Sequence, residues 1–459
     1  MILLYKKILK KRILRKNYFV RRLKFYTSII MARLIGLAIK LVGRTSGTSF
    51  IGMFTLKFNP DFLNSCAKYI KQEKISITGT NGKTTTAGLI AHILEDNGKK
   101  IIHNAQGANM LTGIANIFAR TIVPSKRYDN CVLESDEAYL QKLYDYMKLD
   151  YLVVTNLFRD QLDRYGELDT TARKIQEAID KNKDLTLILN ADDPLVANLG
   201  RENKRIYYGF EEIEFAHERA ISHAPAEMFN CICGKPLKYS KRFYAQQGHY
   251  YCDCGYHRPE CAYKGHAKIY DDYIEISVTH NGETTCYTTD TIGLYNAYNV
   301  LASISTALEL GYTQENIQKA LKSYKAMFGR AEKTEINGHK TIIQLIKNPA
   351  GASEVLKTVD LSSNILIAIN DNFADGRDVS WLWDAEFELL KDVKKTIITS
   401  GIRADDMALR LKYAGIPSDK IKVIPDLFKA LKEVSSSEDK TEKITIMPSY
   451  TALLQLKNR

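Results

Sequence analysis

From residue 74 onward, short runs of aliphatic and β-branched residues alternate with longer stretches of helical period. The runs KISIT (74–78), KKIIHN (99–104), NCVLE (130–134), YLVVTN (151–156) and LTLILN (185–190) carry apolar centres and end in polar residues. Runs of this length and composition fit strands buried on both faces. Residues 84–96 and 169–181 read as helices, with Gly98 placed as a helix stop. Strands alternating with helices predict a parallel sheet covered on both sides. The alternation stops near residue 210. A Cys-, Gly-, Tyr- and His-rich segment without a period follows, at about 225–265. Beyond it lie β-rich runs at 268–278 and 284–289 and helical stretches at 295–310 and 314–325. A second alternating block contains TIIQLI (341–346), NILIAIN (364–370), KTIITS (395–400), KIKVIP (420–425) and KITIMP (443–448). It predicts a second α/β unit, with a hinge near Gly329–Gly338.

Charge changes this picture at one end only. The net charge is +12, but residues 1–30 hold ten Lys or Arg and no acid, so removing those ten leaves +2 for the other 429 residues. A nearly neutral body gives no footprint for nucleic acid. The basic start interleaves Leu, Ile, Tyr and Phe with its cations, which suits a helix lying on an anionic membrane surface. A disordered basic tail, or a functional start at Met31, accounts for the same composition. No long apolar core or cleavage site marks a secretory signal, and no apolar run is long enough to span a bilayer. The expected location is the cytoplasm, with peripheral association at the inner face of the membrane.

The chemistry begins at GTNGKTTT (79–86), between a strand and a helix. Gly79 and Gly82 permit a tight turn, and amides at a helix start attract phosphate oxygens. Lys83 supplies charge to the β- and γ-phosphates, and the Thr84 hydroxyl suits Mg²⁺. Two residues separate the glycines instead of the usual four. A second feature is a set of four cysteines, Cys231-x-Cys233-Gly and Cys252-x-Cys254-Gly, whose pairs are 18 residues apart. Two thiolate hooks joined by a hairpin fit a structural, tetrahedral Zn²⁺, although each hook is one residue shorter than usual. Cys261, His249 and His257 are alternative ligands, and reduced cysteines without metal are the simpler case.

The shortened loop resembles the ATP site of the Mur ligase family, to which folylpolyglutamate synthases are related. Further segments match in order along the chain. VLESDE places Glu134 at the family's Mg²⁺-binding glutamate. TNLFRDQLDRYGE (155–167) matches another segment of the family, but with Gln161 in place of its histidine. LYNAYNVLASISTA places Asn299 near the adenine, and FGR places Arg330 at the nucleotide phosphates. In QLIKNPAG, Gln344 and Lys347 stand where aspartate and histidine are usual. The resemblance implies ATP binding through Thr80, Asn81, Gly82, Lys83, Thr84, Thr85, Asn299 and Arg330, with Mg²⁺ held by Thr84 and Glu134. It implies activation of a carboxylate as an acyl phosphate for attack by an amine.

The stretch INDNFADGRDVSWLWDAEFE (369–388) narrows the resemblance. Together with the Mur-type loop and the four-cysteine insertion it is similar to the MurT family, the synthetase subunits of lipid II isoglutaminyl synthase. That family implies amidation of the D-glutamate α-carboxyl in the lipid II stem peptide. The ammonia comes from a class I glutamine amidotransferase partner of the GatD type, and Asp378 completes that partner's Cys–His pair. The implied organisation is a basic extension at 1–30, a Mur ligase central ATPase domain at 31–328 with a zinc-ribbon insertion at 226–262, and a C-terminal α/β, Rossmann-like domain at 329–459 that docks the partner. An amino-acid-adding Mur ligase or a folylpolyglutamate synthase-like ligase is the nearest alternative, and a zinc-ribbon nucleic-acid-binding ATPase a more distant one.

Overall fold

A computed structural model of the chain describes residues 2–41, 48–105, 108–158, 168–216, 230–325 and 329–457. Among them, two open sheets carry the architecture. The first contains β1 (Lys74–Thr78), β2 (Ile101–His103), β3 (Asn130–Glu134), β4 (Tyr151–Val154), β5 (Thr186–Asn190) and β6 (Lys204–Phe215). After an antiparallel hairpin, β7 (Lys238–Tyr244) and β8 (Gln247–Tyr251), it continues with β9 (Tyr263–Ile269), β10 (Ile274–His280) and β11 (Glu283–Thr289). The spatial order is β11-β10-β9-β6-β5-β4-β1-β3-β2. Pairing is parallel from β2 through β9 and antiparallel for β10 and β11.

The residue types account for this arrangement. The strands β1, β3, β4 and β5 are buried nearly throughout, as strands between two helical layers must be. Two apolar clusters flank the sheet. One contains Phe62, Phe118, Leu133, Leu152 and Ile175. The other contains Ile75, Ile77, Leu89, Ile93, Val300 and Ile304 from β1 and the helices Lys83–Asp96 and Leu294–Glu309. The run at 268–278 forms two strands rather than one. It breaks at Tyr270–Tyr273, where the rings stack at 4.2 Å and the Tyr270 amide donates to the Tyr273 carbonyl.

The N-terminal helix, Ile2–Leu41, passes through residue 30 without a break, and Phe25, Ile29 and Ala32 are buried against the first cluster. Phe25 stacks on Phe62 and Tyr69 at 5.3 Å from each. Among the described residues no helix is long and apolar enough to cross a membrane.

The second sheet contains β12 (Arg330–Ile336), β13 (His339–Gln344), β14 (Asn364–Ala368), β15 (Ile397–Ser400), β16 (Ile421–Val423) and β17 (Ile444–Pro448). Its order is β12-β13-β17-β14-β15-β16, with β12 antiparallel and the rest parallel. Five of these six strands lie within or beside the runs expected from the sequence. The edge strand β12 does not: its residues RAEKTEI are largely polar, and it exists because it pairs with β13 across the Asn337–Gly338 turn, where both residues have positive φ.

Candidate functional site

In an open α/β sheet, ligands settle beyond the C-terminal ends of the strands where the strand order reverses. Here β1 lies between β3 and β4, and all three deliver residues to one place. Thr78 leads into the glycine loop, Glu134 ends β3 beside Ile77, and Thr155–Asn156 follow β4.

The loop is held from below by β4's exit. The Asn81 amide donates to Asn156 Oδ1 (2.9 Å), and Thr155 Oγ1 donates to the Asn81 carbonyl (2.7 Å). Thr80 bonds Phe158 twice, donating from Oγ1 to its carbonyl and accepting its amide. Gly79 and Gly82 have φ of 125° and 85°, and both are crowded. A Cβ on Gly79 would lie 2.3 Å from Thr155 Oγ1, and one on Gly82 would lie 2.0 Å from Asn299 Oδ1. Gly82 is the N-cap of the helix Lys83–Asp96, so its amide neighbours are the free N–H groups that favour an anion. Gly82→Ala is therefore expected to displace Asn299 and strain the loop. It should cost about 1–2 kcal/mol from left-handed geometry alone, read as a lower melting temperature, with nucleotide affinity falling further.

Lys83 is buried. Its Nζ donates to Glu137 Oε1 (2.8 Å) and to the loop carbonyls of Gly79 and Thr80. Burial alone lowers the lysine pKa, but Glu137, Asp136 and Glu134 outweigh it, so Lys83 stays protonated. Burial pushes Glu137 up from the ordinary carboxylate range despite Lys83. Glu137 Oε1 also accepts the Gly79 amide (3.1 Å). Sequence reasoning singled out Glu134 in VLESDE and missed Glu137, which only the fold brings to the lysine.

Glu134 is buried. Its Oε1 accepts from Asn109 (3.1 Å), and its backbone amide donates to Asn104 Oδ1 (2.8 Å). Its Oε2 is buried with no hydrogen-bond partner among the described residues. An orphaned carboxylate oxygen at a phosphate loop is the donor a hard divalent cation requires, so the site's chemistry fits Mg²⁺. Thr84 and Thr85 begin the same helix, Thr85 buried and Thr84 half-buried.

Asn299, expected near the adenine, lies against the phosphate loop. It is buried, accepting from Thr86 Oγ1 (3.3 Å) and donating to Asn296 Oδ1 (3.1 Å), with Gly82 packed on it. In this arrangement its side chain supports the loop from below. Arg330 is placed by its backbone only, paired with Gln344 at the start of β12; its side chain and Gln161 lie outside the described residues.

The second sheet reaches the loop through KNPAG. Asn348 caps the helix Pro349–Leu356, its Oδ1 accepting the Gly351 amide (2.8 Å), while its Nδ2 donates to Asn81 Oδ1 (2.9 Å). Lys347 Nζ lies 3.4 Å from the Thr80 carbonyl. Gln344, in place of an acid, bonds Tyr295 and Thr358.

The acidic loop at 369–380 separates into three roles. Asp375 is buried, accepting from the Asn372 amide and from the amide and hydroxyl of Thr451. Asp371 pairs with Arg403 at 2.7 Å. Asp378 is half-buried at the loop's outer end, and its Oδ1 accepts the Ser380 amide (2.8 Å). Next to this loop, Trp383 and Tyr413 are both more than half exposed and meet edge-on at 5.5 Å.

The four cysteines converge. Residues 226–229 of the expected insertion lie outside the described residues, and both hooks lie within them. Cys231 Sγ lies 3.5 Å from Cys254 Sγ, and Cys233 Sγ 3.6 Å from Cys252 Sγ; all four sulfurs lie within 4.8 Å of one another. Each hook closes with the same turn: Cys231 and Cys252 amides donate to the Lys235 and Tyr256 carbonyls, and Gly234 and Gly255 adopt positive φ. A backbone amide at Lys235 pulls the Cys233 thiol down to about 7. Cys261 is buried elsewhere, near Arg258 and Asp192. His249 and His257 bond the Phe210 and Gly255 carbonyls. The hairpin's tip is anchored beside the nucleotide loop: Gln246 donates to the Leu157 carbonyl, and Tyr244 packs on Phe158 at 4.8 Å.

The comparisons with known proteins agree with this geometry. Residues 77–307 match the Mur ligase middle domain, and residues 345–453 match the MurT ligase C-terminal family. The subunit MurT of lipid II isoglutaminyl synthase (glutamine-hydrolyzing) from Staphylococcus aureus is 36% identical over 433 residues, covering 93% of this chain and 96% of that one. The protein of the same name from Streptococcus pneumoniae is 35% identical over 442 residues, covering 95% and 96%. Among solved structures, a pseudomurein peptide ligase type C from Methanothermus fervidus superposes with a TM-score of 0.64 at 23% identity, covering 85% and 79%, which establishes the shared fold. The chain belongs to the Mur ligase family, in its MurT branch.

Proposed function

We propose that this chain is the ATP-consuming subunit that amidates the α-carboxyl of D-glutamate in the lipid II stem peptide, giving D-isoglutamine. The observation that carries the reading is the meeting of the Lys83 loop, itself paired with Glu137, with KNPAG, in a chain that also presents Asp378 on a separate loop. In the first step a carboxylate oxygen of the substrate attacks the γ-phosphorus of ATP. ADP leaves, and an acyl phosphate forms. Ammonia then attacks the acyl carbon, inorganic phosphate departs, and a proton is lost from nitrogen. Lys83 and the amides at the helix start stabilise charge on the transferring phosphoryl group. Mg²⁺, when bound at Thr84 and Glu134, neutralises phosphate charge. The roles of Thr80, Asn81 and Thr85 are to shape the loop, and the resemblance to the family assigns Arg330 to the nucleotide phosphates.

The ammonia source is a glutamine amidotransferase of the GatD type. Asp378 orients that partner's histidine, and exposed Trp383 and Tyr413 offer the aromatic anchors common at interface centres. Residues 329–459 form the docking domain. The substrate is a lipid, so the enzyme works at the cytoplasmic membrane face.

The four-cysteine hairpin is a structural zinc ribbon. Four thiolates leave no open coordination position, and the hairpin's tip supports the Leu157–Phe158 turn that holds Thr80. Cys252→Ser, or treatment with a strong chelator, is expected to release one zinc per chain and lower the melting temperature. Metal analysis alongside a thermal melt checks both.

The test is amidation of lipid II, read by mass spectrometry, with the chain, its glutaminase partner, ATP and Mg²⁺, supplied with glutamine or with ammonium. Product from both nitrogen sources supports the reading. Absence of product from both overturns it, and ligation of a free amino acid points to an amino-acid-adding ligase.

A further inference from the structure

The helix Ile2–Leu41 has two apolar faces on opposite sides. Phe25, Ile29 and Ala32 are buried against the body. Val20, Leu23, Ile30, Leu34, Leu37 and Leu41 are between 43% and 80% exposed. Their spacing of three, four and seven residues aligns them in one stripe, about half a turn away from the buried face. Six large aliphatic residues in a line are a contiguous patch, not the scattered exposure common on soluble proteins. The neighbouring helix Thr48–Phe58, whose Ile51 packs beside Gly36, adds exposed Phe50 and Met53.

Charge identifies what covers the stripe. The first 60 residues contain 14 Lys or Arg, and the first acid is Asp61. Exposed Arg22 and Lys24 lie on either side of the stripe, while Arg33 donates to the Arg120 and Ile122 carbonyls of the body. A second copy of this helix would set these cations against one another with no acid to offset them. An anionic surface with an apolar interior satisfies both parts of the pattern. With no helix among the described residues able to cross a bilayer, the contact is that of a helix lying in the headgroup plane.

We propose that this outward stripe seats the enzyme on an anionic membrane. Its six aliphatic side chains enter the acyl boundary, and the flanking cations pair with lipid phosphates. Seating by this face fixes the protein at the surface where the substrate of the proposed reaction resides. The inference rests on that reading for its purpose, but the binding itself is measured without ATP, glutamine or substrate.

The experiment is co-sedimentation of the full chain with vesicles of phosphatidylcholine alone or mixed equally with phosphatidylglycerol. The wild type is expected to bind the mixed vesicles, to bind the neutral ones more weakly, and to weaken as salt rises. Leu34→Glu/Leu37→Glu should lower partitioning at least about tenfold. Arg22→Glu/Lys24→Glu, which leaves the stripe intact, should weaken binding to the mixed vesicles only. Circular dichroism confirms that each variant is folded. Both variants should amidate a short-chain, water-soluble lipid II analogue at the wild-type rate while slowing on the vesicle-embedded substrate. The proposal is overturned by equal vesicle binding of wild type and the leucine variant. It is equally overturned if the wild type self-associates through this face, the variant is monomeric, and neither binds vesicles. Failure of the wild type to amidate the soluble analogue would instead refute the catalytic reading and leave the vesicle result standing.

Discussion

Asp378→Ala is expected to abolish glutamine-driven amidation while leaving the ammonium-driven reaction near the wild-type rate. A carboxylate that orients a catalytic imidazole and stabilises its charge is worth about 10³- to 10⁴-fold. Asp378 lies at the outer end of its loop, with one oxygen accepting the Ser380 amide. The loop's fold depends instead on buried Asp375 and its bonds to Thr451. Removing Asp378 therefore spares the scaffold. Parallel assays with glutamine and with ammonium, in the presence of the partner, separate the two effects. Equal loss with both nitrogen sources would place the defect in folding or in the synthetase step and contradict the assignment.

The second large effect concerns Lys83. Lys83→Met should depress amidation from both nitrogen sources by about 10²- to 10³-fold, because the transferring phosphoryl group loses its cation. The substitution also leaves Glu137 buried beside an apolar side chain, with a stability cost of about 3–5 kcal/mol. Lys83→Met/Glu137→Gln removes both charges and is expected to recover most of that stability without recovering activity. Thermal melts and single-turnover ADP formation, measured together, distinguish the two costs. A well-folded double variant with wild-type turnover would refute the role of Lys83.

Much of the scaffold is legible in the sequence because local chemistry decides it. The strands β1, β3, β4 and β5 read directly from apolar runs that end in polar residues. Gly98, with φ of 77°, ends the helix where the sequence places the stop. The cysteine hooks converge because each carries a glycine at the position that must adopt positive φ.

What stays hidden depends on long-range pairing. Glu137 looks like any helix-flanking acid until β3 and β1 lie side by side. The run at 268–278 lacks Gly or Pro at its turn, so its two strands read as one. The stripe on the first helix is obscured because the opposite face is also apolar. The role of Asn348 is equally invisible, since it acts on a loop more than 200 positions earlier.

The amide pair between Asn81 and Asn348 has a consequence for how the two sheets respond to substrate. Asn348 caps a helix and grips the loop with the same side chain, so movement of that helix and displacement of the loop are not independent. A ligand that favours one loop position must favour the matching placement of the second sheet. By thermodynamic reciprocity, anything that fixes the second sheet, including a bound partner, alters nucleotide affinity by the same factor by which nucleotide alters partner affinity. On the proposed reading, ATP and the glutaminase would report on each other's presence through these two asparagines.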